Sequence, residues 1–252
     1  MSFDVAAEAY TRFMGRFSEP LAYEFAERAG IRPEHRVVDV GCGPGALTAE
    51  LVARVGPAQV TAIDPSASFV AAVRDRFPEV DVREGRAERL PFPDASFDLA
   101  LAQLVVHFMT DPVAGLAEMG RVTRPGGAVG ACVWDHAGYA GPLSLFWEAV
   151  HDLDPNATGE AGLAGVAAGQ LLELSEGAGL RDPEESRLTV TLTFASFDDW
   201  WDPFTLGVGP AGAYVGGLAP EAVAALRDRC AQLLPPAPFK VSASAWCVLA
   251  RG

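Results

Sequence analysis

Apolar runs alternate with amphipathic segments through the first half of the chain. The mostly apolar runs lie at 37–40, 60–64, 97–104 and 128–134. Runs of this kind are typical of parallel strands, which are buried on both faces. Between them, apolar residues recur at helical spacing over 46–52, 67–76 and 112–122. The alternation predicts an α/β fold with a doubly wound, mostly parallel sheet.

The two ends of the chain are less regular. Before the first strand we predict a helix over 20–29, with Ser18 as its N-cap. The elements that we predict after the apolar run at 128–134 are helices near 142–151 and over 171–178 and 220–233, and strands over 188–194 and 241–250. These elements leave two long connecting segments, whose composition is considered below with the domain organisation.

A glycine-rich turn follows the first predicted strand. Gly41, Gly43 and Gly45 alternate there, and a predicted helix begins at once. Strand, glycine turn and helix together are typical of nucleotide-binding units, where a ligand lies against bare backbone and free helix N–H groups. The spacing also fits dinucleotide-binding dehydrogenases, but Pro44 removes one N–H group that a pyrophosphate could use. The turn therefore predicts a nucleotide-like ligand without naming it.

An acid ends the second predicted strand. Asp64 follows Gly45 by about twenty residues, a distance at which an acid can accept hydrogen bonds from both ribose hydroxyls of a nucleoside. The alternative role for Asp64 and Ser66 is to cap the helix over 67–76.

Two further motifs complete a series. Residues 84–98 are Glu-Gly-Arg-Ala-Glu-Arg-Leu-Pro-Phe-Pro-Asp-Ala-Ser-Phe-Asp, and residues 124–127, after a predicted helix, are Arg-Pro-Gly-Gly. With the acid-and-glycine motif at 39–45 and Asp64, these motifs resemble, in the same order over 36–134, class I S-adenosylmethionine-dependent methyltransferases. The resemblance is to the small-molecule type, similar to the ubiquinone/menaquinone-biosynthesis methyltransferase group.

The resemblance implies a Rossmann-like fold with seven strands, an antiparallel last strand and a small helical and loop cap. It implies one domain over 1–252, divided into an N-terminal lid and helix over 1–30, a cofactor-binding core over 36–134 and two substrate-covering inserts, 135–168 and 195–218. Both inserts are rich in glycine and aromatic residues, as covering segments often are. The alternative is that Trp200, Trp201 and Tyr214 only anchor loops to the sheet.

The implied activity is methyl transfer from S-adenosylmethionine to a small, partly apolar metabolite, by in-line displacement, with S-adenosylhomocysteine as product. The residues that we expect to hold the cofactor are Tyr10, Arg16, Asp39, Gly41, Cys42, Gly43, Asp64, Pro65, Arg86, Ala87, Glu88 and Gln103. Asp39 suits the amino group of this ligand, and Arg16 and Tyr10 suit its carboxylate. Because Arg86 replaces the usual acid and cannot accept a hydrogen bond, adenine recognition would fall to Ala87, Glu88 or stacking on Arg86.

A general base is needed only if the acceptor loses a proton of high pKa. His107, just beyond the apolar run at 97–104, is the candidate catalytic residue, and His136 is a weaker one. The alternative for a lone histidine after an apolar run is a structural role.

Composition and charge set expectations about nucleic-acid, metal and membrane partners. The chain has 252 residues, of which 50% are hydrophobic, a mean hydropathy of +0.17 and a formal net charge of −14. An acidic surface repels phosphate backbones, so we expect no nucleic-acid partner. We also expect no metal site, because the four cysteines lack paired spacing. Without a signal peptide or a long apolar run, we expect a cytoplasmic protein with no membrane insertion. The oligomeric state stays open.

Two other functions stay open. The glycine turn alone allows an NAD(P)-dependent oxidoreductase or epimerase, but the sole lysine, Lys240, lacks the tyrosine four residues earlier that such enzymes commonly pair with it. A non-catalytic S-adenosylmethionine-binding protein would show the same motifs, and turnover with any acceptor would separate the two.

Overall fold

The structure is a computed structural model that describes residues 7–252. Its sheet has seven strands in the order β3-β2-β1-β4-β5-β7-β6. The strands are Val37–Val40 (β1), Val60–Asp64 (β2), Asp81–Glu84 (β3), Phe97–Gln103 (β4), Thr123–Trp134 (β5), Arg181–Phe194 (β6) and Phe239–Arg251 (β7). β1 to β5 run parallel, and β7 pairs antiparallel with both β5 and β6. The predicted fold class, including the antiparallel last strand, is confirmed.

Helices cover both faces of the sheet. The α-helices are Ala7–Tyr10 (α1), Arg16–Ala29 (α2), Ala46–Val55 (α3), Ala67–Arg76 (α4), Pro112–Val122 (α5), Ser144–Leu153 (α6), Gln170–Gly177 (α7), Phe197–Trp201 (α8), Gly209–Gly216 (α9) and Pro220–Leu233 (α10). Successive residues of β1 pack into the two hydrophobic cores on opposite faces of the sheet. Val37 packs in the core that contains Phe25 of α2, and Val38 packs in the core that contains Leu116 of α5. Because strand side chains alternate between faces, the apolar run of β1 fills both cores.

Local capping explains where several helices begin. The Asp111 side chain accepts a 3.0 Å hydrogen bond from the Ala114 N–H at the start of α5, where Pro112 also suits the first turn. The Ser66 side chain accepts from the Phe69 N–H at the start of α4, as predicted.

Ser18 is not an N-cap, which corrects one prediction. The chain passes from α1 through a π-helical turn, Thr11–Gly15, directly into α2. Ser18 therefore lies inside the helix, and its hydroxyl donates to the Met14 carbonyl at 3.0 Å. A π-helical turn adds a residue to the helical repeat and often lies at functional sites.

Three other boundaries differ from the prediction. The Arg-Pro-Gly-Gly segment lies within β5 as an irregularity, where pairing with β4 moves from Phe97–Thr123 to Leu99–Ala128. β6 begins seven residues before the predicted position, at Arg181, because it pairs along nearly the whole of β7. The glycine-rich segment after residue 207, to which we assigned no helix or strand, forms α9.

The N-terminal segment and the two inserts meet in one aromatic cluster. Phe204 of the second insert packs edge-on against Phe13, with ring centroids 5.2 Å apart, and stacks on Phe146 of the first insert at 4.5 Å. Trp200 and Trp201 are buried beside Phe204. These rings hold the N-terminal segment and the two inserts together near the carboxyl ends of the parallel strands, where the site described below lies.

Within residues 7–252, no helix has both the length and the apolar character that spanning a bilayer requires. The four cysteines are buried and unpaired. No group of three or more potential metal-ligating side chains occurs in the described part of the chain.

Candidate functional site

A cavity of about 620 Å³ lies at the carboxyl ends of β1, β2 and β4. Parallel sheets bind ligands at this edge, where the strand order changes direction. The predicted site residues that line the cavity are Tyr10, Asp39, Gly41, Cys42, Gly43, Asp64, Pro65, Arg86, Ala87, Glu88, Gln103 and His107. Twelve of the thirteen residues proposed from the sequence are thus brought together.

The glycine turn forms one wall of this cavity. Gly41 has a φ of +74°, and a Cβ placed there would lie 2.3 Å from a Val105 methyl carbon. Gly43 has a φ of +52°, and a Cβ placed there would meet no atom within 4 Å. Gly41 therefore allows close packing against Val105, whereas Gly43 leaves bare backbone beside the cavity.

Asp39 lies at the base of the turn. It is 1% exposed, and its Oδ2 accepts a 2.6 Å hydrogen bond from the Thr48 hydroxyl of α3. Its Oδ1 is buried and has no partner among residues 7–252. The pKa of Asp39 is raised from 3.8 to about 7, chiefly by burial and to a smaller extent by the nearby charge of Asp64, while the Thr48 hydrogen bond opposes both.

Gln103 contributes a second unpartnered oxygen. Its amide nitrogen donates to the Ser18 carbonyl at 2.9 Å, which ties α2 to the end of β4. Its Oε1 is buried without a partner in the described residues, and the side chain lines the same cavity as Asp39. Two buried oxygens that lack donors indicate a ligand with a positively charged or strongly donating group.

Asp64 connects the second strand to the turn. Its Oδ2 accepts from the Gly43 N–H and its Oδ1 from the Ser66 N–H, both at 2.8 Å. Burial raises the pKa of Asp64, and these two backbone hydrogen bonds act in the opposite direction. Because a carboxylate offers about four acceptor positions, Asp64 can hold the turn and still accept from ligand hydroxyls.

The far end of the cavity is lined by residues after β3. Ala87 is buried, whereas the Arg86 side chain is exposed at the rim. One oxygen of Glu88 accepts from the Thr110 N–H at 2.7 Å and from the Asp111 N–H at 3.4 Å. Glu88 thus anchors the loop before α5, so the side chain has a structural role at the cavity edge.

Residues 38–130 match a family model described as a methyltransferase domain. Within these residues the chain therefore carries a methyltransferase domain. Among curated proteins it is similar to a demethylmenaquinone methyltransferase of Mycobacterium sp. strain KMS, with 43% identity over 41% of this chain and 43% of that protein. It is also similar to a malonyl-[acyl-carrier protein] O-methyltransferase of Erwinia billingiae, with 36% identity over 51% of this chain and 50% of that protein. The chain thus spans half or less of the length of these curated relatives.

The fold likeness extends beyond the methyltransferase domain. A solved geranyl diphosphate methyltransferase in complex with S-adenosylmethionine superposes with a TM-score of 0.54, covering 94% of this chain and 85% of that one at 17% identity. At this identity the likeness concerns the fold alone.

The cavity of the methyltransferase domain fits the chemical groups of S-adenosylmethionine. The unpartnered oxygens of Asp39 and Gln103 suit its ammonium group, and Asp64 suits its ribose hydroxyls. The bare backbone at Gly43 leaves room for a ligand where any other residue would place a side chain. The cavity therefore offers acceptor oxygens that match the ammonium and ribose groups of this cofactor.

Arg16, which we expected to contact the cofactor carboxylate, does not line the first cavity. Its guanidinium binds both carboxylate oxygens of Asp199, at 2.8 and 3.3 Å, and lies 4.5 Å from the centre of the Phe194 ring. Because these partners already hold the guanidinium, Arg16 joins α2 to the second insert.

A second, smaller cavity of about 40 Å³ adjoins the first, and we call it the side chamber. It shares with the first cavity the residues Tyr10, Leu104, His107 and Phe108, and its other lining residues are Phe13, Met14, Trp134, His136, Leu143, Glu160, Val208, Gly209, Pro210 and Ala211. The N-terminal segment, both inserts and the ends of β4 and β5 all contribute to it.

His107 lies at the boundary between the two cavities. The pKa of His107 is lowered to about 3, chiefly by burial and to a smaller extent by His136, whose ring centroid lies 6.2 Å away. Its Nδ1 is buried and has no partner in the described residues. His107 is therefore neutral at physiological pH, and a group with so low a pKa is a weak proton acceptor.

Glu160 is the residue of the side chamber that sequence reasoning missed. It is 5% exposed, and its Oε2 accepts a 2.9 Å hydrogen bond from the Trp147 indole nitrogen. Burial raises the pKa of Glu160 to about 7. The only signal in the sequence was a single acid within a glycine- and alanine-rich segment, and such an acid is ordinarily solvated.

Proposed function

We propose that this protein transfers a methyl group from S-adenosylmethionine to a small, partly apolar molecule that enters the side chamber. The observation that carries the proposal is the pairing of two adjoining cavities. One is lined by the acid–glycine turn, and the other is lined mostly by three segments outside the matched domain. A chamber beside a cofactor cavity is where an acceptor must lie for in-line displacement.

The residues of the first cavity would bind and orient the cofactor. Asp39 Oδ1 and Gln103 Oε1 would accept from its ammonium group, and Asp64 would accept from the ribose hydroxyls. Ala87 and the exposed Arg86 would border the adenine. When bound, S-adenosylmethionine supplies an electrophilic methyl carbon on a positively charged sulfur.

The boundary residues would exclude water and direct the acceptor. Tyr10 packs edge-on against Phe69, with ring centroids 5.6 Å apart, and lines both cavities together with His107 and Phe108. Aromatic walls favour a partly apolar acceptor. The small size of the chamber and the net charge of −14 both argue against a polymer or a nucleic acid as substrate.

Calorimetric titration tests the cofactor assignment directly. We expect S-adenosylmethionine and S-adenosylhomocysteine to bind with dissociation constants on the order of micromolar, and NAD to bind much more weakly. NAD binding tighter than either would favour an oxidoreductase. A screen of small metabolites with labelled S-adenosylmethionine then tests turnover. Cofactor binding with no turnover on any acceptor would favour a non-catalytic binding protein.

A further inference from the structure

The side chamber contains polar groups that the protein itself does not satisfy. The indole nitrogen of Trp134 and Nδ1 of His107 are both buried without a hydrogen-bond partner among residues 7–252, and both side chains line the chamber. Buried polar atoms almost always have partners in folded proteins. Two orphaned atoms in one small cavity indicate that a ligand supplies their hydrogen bonds.

Glu160 is held in place at the same chamber. Trp147 donates to Oε2 of Glu160 at 2.9 Å, and the Trp147 ring packs against His151 and Tyr214. A carboxylate has about four acceptor positions, so one hydrogen bond leaves Glu160 able to accept from a ligand. The protein therefore sets the orientation of the Glu160 carboxylate and leaves it free to accept further hydrogen bonds from a ligand.

We propose that the acceptor is a neutral molecule that presents a hydroxyl group in the side chamber, and that Glu160 accepts the proton of that hydroxyl during methyl transfer. This inference rests on the proposed function. A hydroxyl group both donates and accepts hydrogen bonds. It can therefore donate to Glu160 while accepting from the Trp134 indole N–H, which a purely apolar group cannot do.

The charges around the chamber disfavour charged acceptors. No arginine or lysine is among the described residues that line it, so a carboxylate or phosphate would lie beside Glu160 without a counter-charge. An alkylammonium group would pair with Glu160 and must lose a proton before it has a lone pair with which to attack carbon. A hydroxyl group is neutral and nucleophilic, and its acidity increases as the bond to carbon forms.

Glu160 is also better suited to take the proton than its neighbours. The titratable groups around it are Tyr10 on α1, His107 and His136 in the chamber, and His151 and Tyr214 against Trp147. Burial lowers the pKa of His107 to about 3 and of His136 to about 4, but raises the pKa of Glu160 to about 7. A base is most effective when its pKa lies near the working pH.

The step balances in atoms and charge. The acceptor oxygen forms a bond to the methyl carbon of a sulfonium donor while the carbon–sulfur bond breaks, and the electron pair of that bond stays on sulfur. The hydroxyl proton passes to Glu160. A positive sulfur and a negative carboxylate thus become a neutral thioether and a neutral carboxyl group. Loss of opposite charges is favoured in a water-poor site over retaining them.

Phenol is a suitable probe, because it is neutral between pH 6 and pH 8 and carries one hydroxyl group on an aromatic ring. Protein labelled at its tryptophan indole nitrogens and saturated with S-adenosylhomocysteine is titrated with phenol, toluene or benzoate. We expect phenol to bind about fivefold or more tightly at pH 8 than at pH 6, because Glu160 ionises between them. Toluene and benzoate should bind more weakly than phenol at pH 8.

Glu160→Gln is the decisive variant, since a glutamine oxygen can still accept from Trp147. It should abolish the pH dependence of phenol binding and weaken binding at pH 8 by about fivefold or more. Glu148→Gln, an exposed position on α6, is the matched control and should behave as the unmodified protein. The Trp147 indole signal should titrate near pH 7 in the unmodified protein and not in Glu160→Gln.

The outcomes separate the two proposals. Failure of S-adenosylhomocysteine to bind would overturn the proposed function itself. If it binds but phenol does not, or if phenol binding is independent of pH in the unmodified protein, the assignment of Glu160 is wrong and the proposed function stands. Equal phenol binding by Glu160→Gln and the unmodified protein at pH 8 would also overturn the assignment, and Glu160 would then serve only to hold Trp147.

Discussion

The Thr48 hydroxyl donates a 2.6 Å hydrogen bond to one oxygen of Asp39 and leaves the other, Oδ1, buried without a partner in the described chain. Thr48 lies in the first turn of α3, so the helix that follows the glycine turn orients the acid that precedes it. Burial raises the pKa of Asp39 to about 7, which shows that its charge is poorly stabilised in the unliganded protein. A ligand cation would supply the missing stabilisation.

Asp39→Asn should therefore weaken cofactor binding while stabilising the unliganded protein at high pH. We expect the dissociation constant for S-adenosylhomocysteine at pH 8 to rise by about 10- to 100-fold, the loss of a hydrogen bond to a charged group. In the unmodified protein, affinity should fall as pH drops below about 7, since the proton on Asp39 must leave before the ammonium can pair with it. Titration calorimetry at several pH values measures both effects.

Asp39→Asn should weaken cofactor binding but increase the stability of the unliganded protein. Because the folded pKa of Asp39 lies above its unfolded value, the folded state binds more protons between pH 3.8 and about pH 7, and stability declines as pH rises through that window. The full penalty is on the order of 4 kcal/mol above pH 7, and Asn removes it. Thermal unfolding of Asp39→Asn at pH 5 and pH 8 checks this. A variant that is less stable than the unmodified protein at pH 8 would contradict it.

Asp64→Ala should lower both affinity and stability. The substitution leaves the Gly43 and Ser66 N–H groups without their acceptor and removes the proposed ribose contact. We expect a loss of about 1.5–3 kcal/mol in cofactor binding, and a smaller loss of unfolding free energy, of about 1–2 kcal/mol. Asp111→Ala is the control, because Asp111 caps α5 in a similar way but lies outside the cavity lining. If Asp64→Ala bound the cofactor as tightly as the unmodified protein, Asp64 would serve only to cap the helix that follows it.

The sequence predicted the core of the fold and most of the first cavity for a physical reason. Strand periodicity, glycine spacing and acids at strand ends are local features, so Asp39, Gly43 and Asp64 could be assigned to one edge of the sheet. The role of Arg16 could not be assigned, because its partner Asp199 is 183 residues away in the chain. Glu160 was missed for a similar reason: its burial depends on how three distant segments pack.

Arg16→Ala should affect stability and leave cofactor affinity nearly unchanged. The ion pair with Asp199 is about one-third exposed on each side, so solvent screens it, and we expect a loss of about 1 kcal/mol in unfolding free energy. The dissociation constant for S-adenosylhomocysteine should change by about twofold or less, as measured by calorimetry. Asp199→Asn is the matched variant and should behave alike. A tenfold loss of affinity confined to Arg16→Ala would restore Arg16 as a cofactor contact.

The N-terminal segment and the second insert should respond together to the cofactor. The lid that we expect comprises residues 1–20 and 195–218, of which residues 1–6 lie outside the described part of the chain. In the described part, Phe13 contacts Phe204, and Arg16 pairs with Asp199.

We expect S-adenosylhomocysteine to slow hydrogen exchange in 7–20 and 195–218, because closure protects backbone amides. Exchange in α10, which does not line either cavity, is the internal control. Identical exchange with and without ligand in both segments would refute the lid.

Comparing Gly43→Ala with Gly56→Ala separates two effects on cofactor affinity: filling the cavity with a methyl group, and straining a glycine backbone. Both glycines have positive φ, +52° and +80°, and a Cβ at either position meets no atom within 4 Å. Each substitution should cost about 1–3 kcal/mol of unfolding free energy, because an L-residue is strained at positive φ. The cost should be larger at Gly56, whose ψ of 154° lies outside the left-handed helical region. Only the Cβ at position 43 borders the first cavity.

Gly43→Ala should therefore raise the dissociation constant for S-adenosylhomocysteine by about tenfold or more, since the methyl group occupies space that the proposed ligand needs. Gly56→Ala should keep its affinity within about twofold, because Gly56 ends α3 away from the cavity. Calorimetry and thermal unfolding of both variants measure the two effects separately. If the two variants lost affinity equally, strain in the glycine backbone would explain the loss. If neither lost affinity, the ligand would not approach the backbone at Gly43, and the cofactor would have to lie elsewhere.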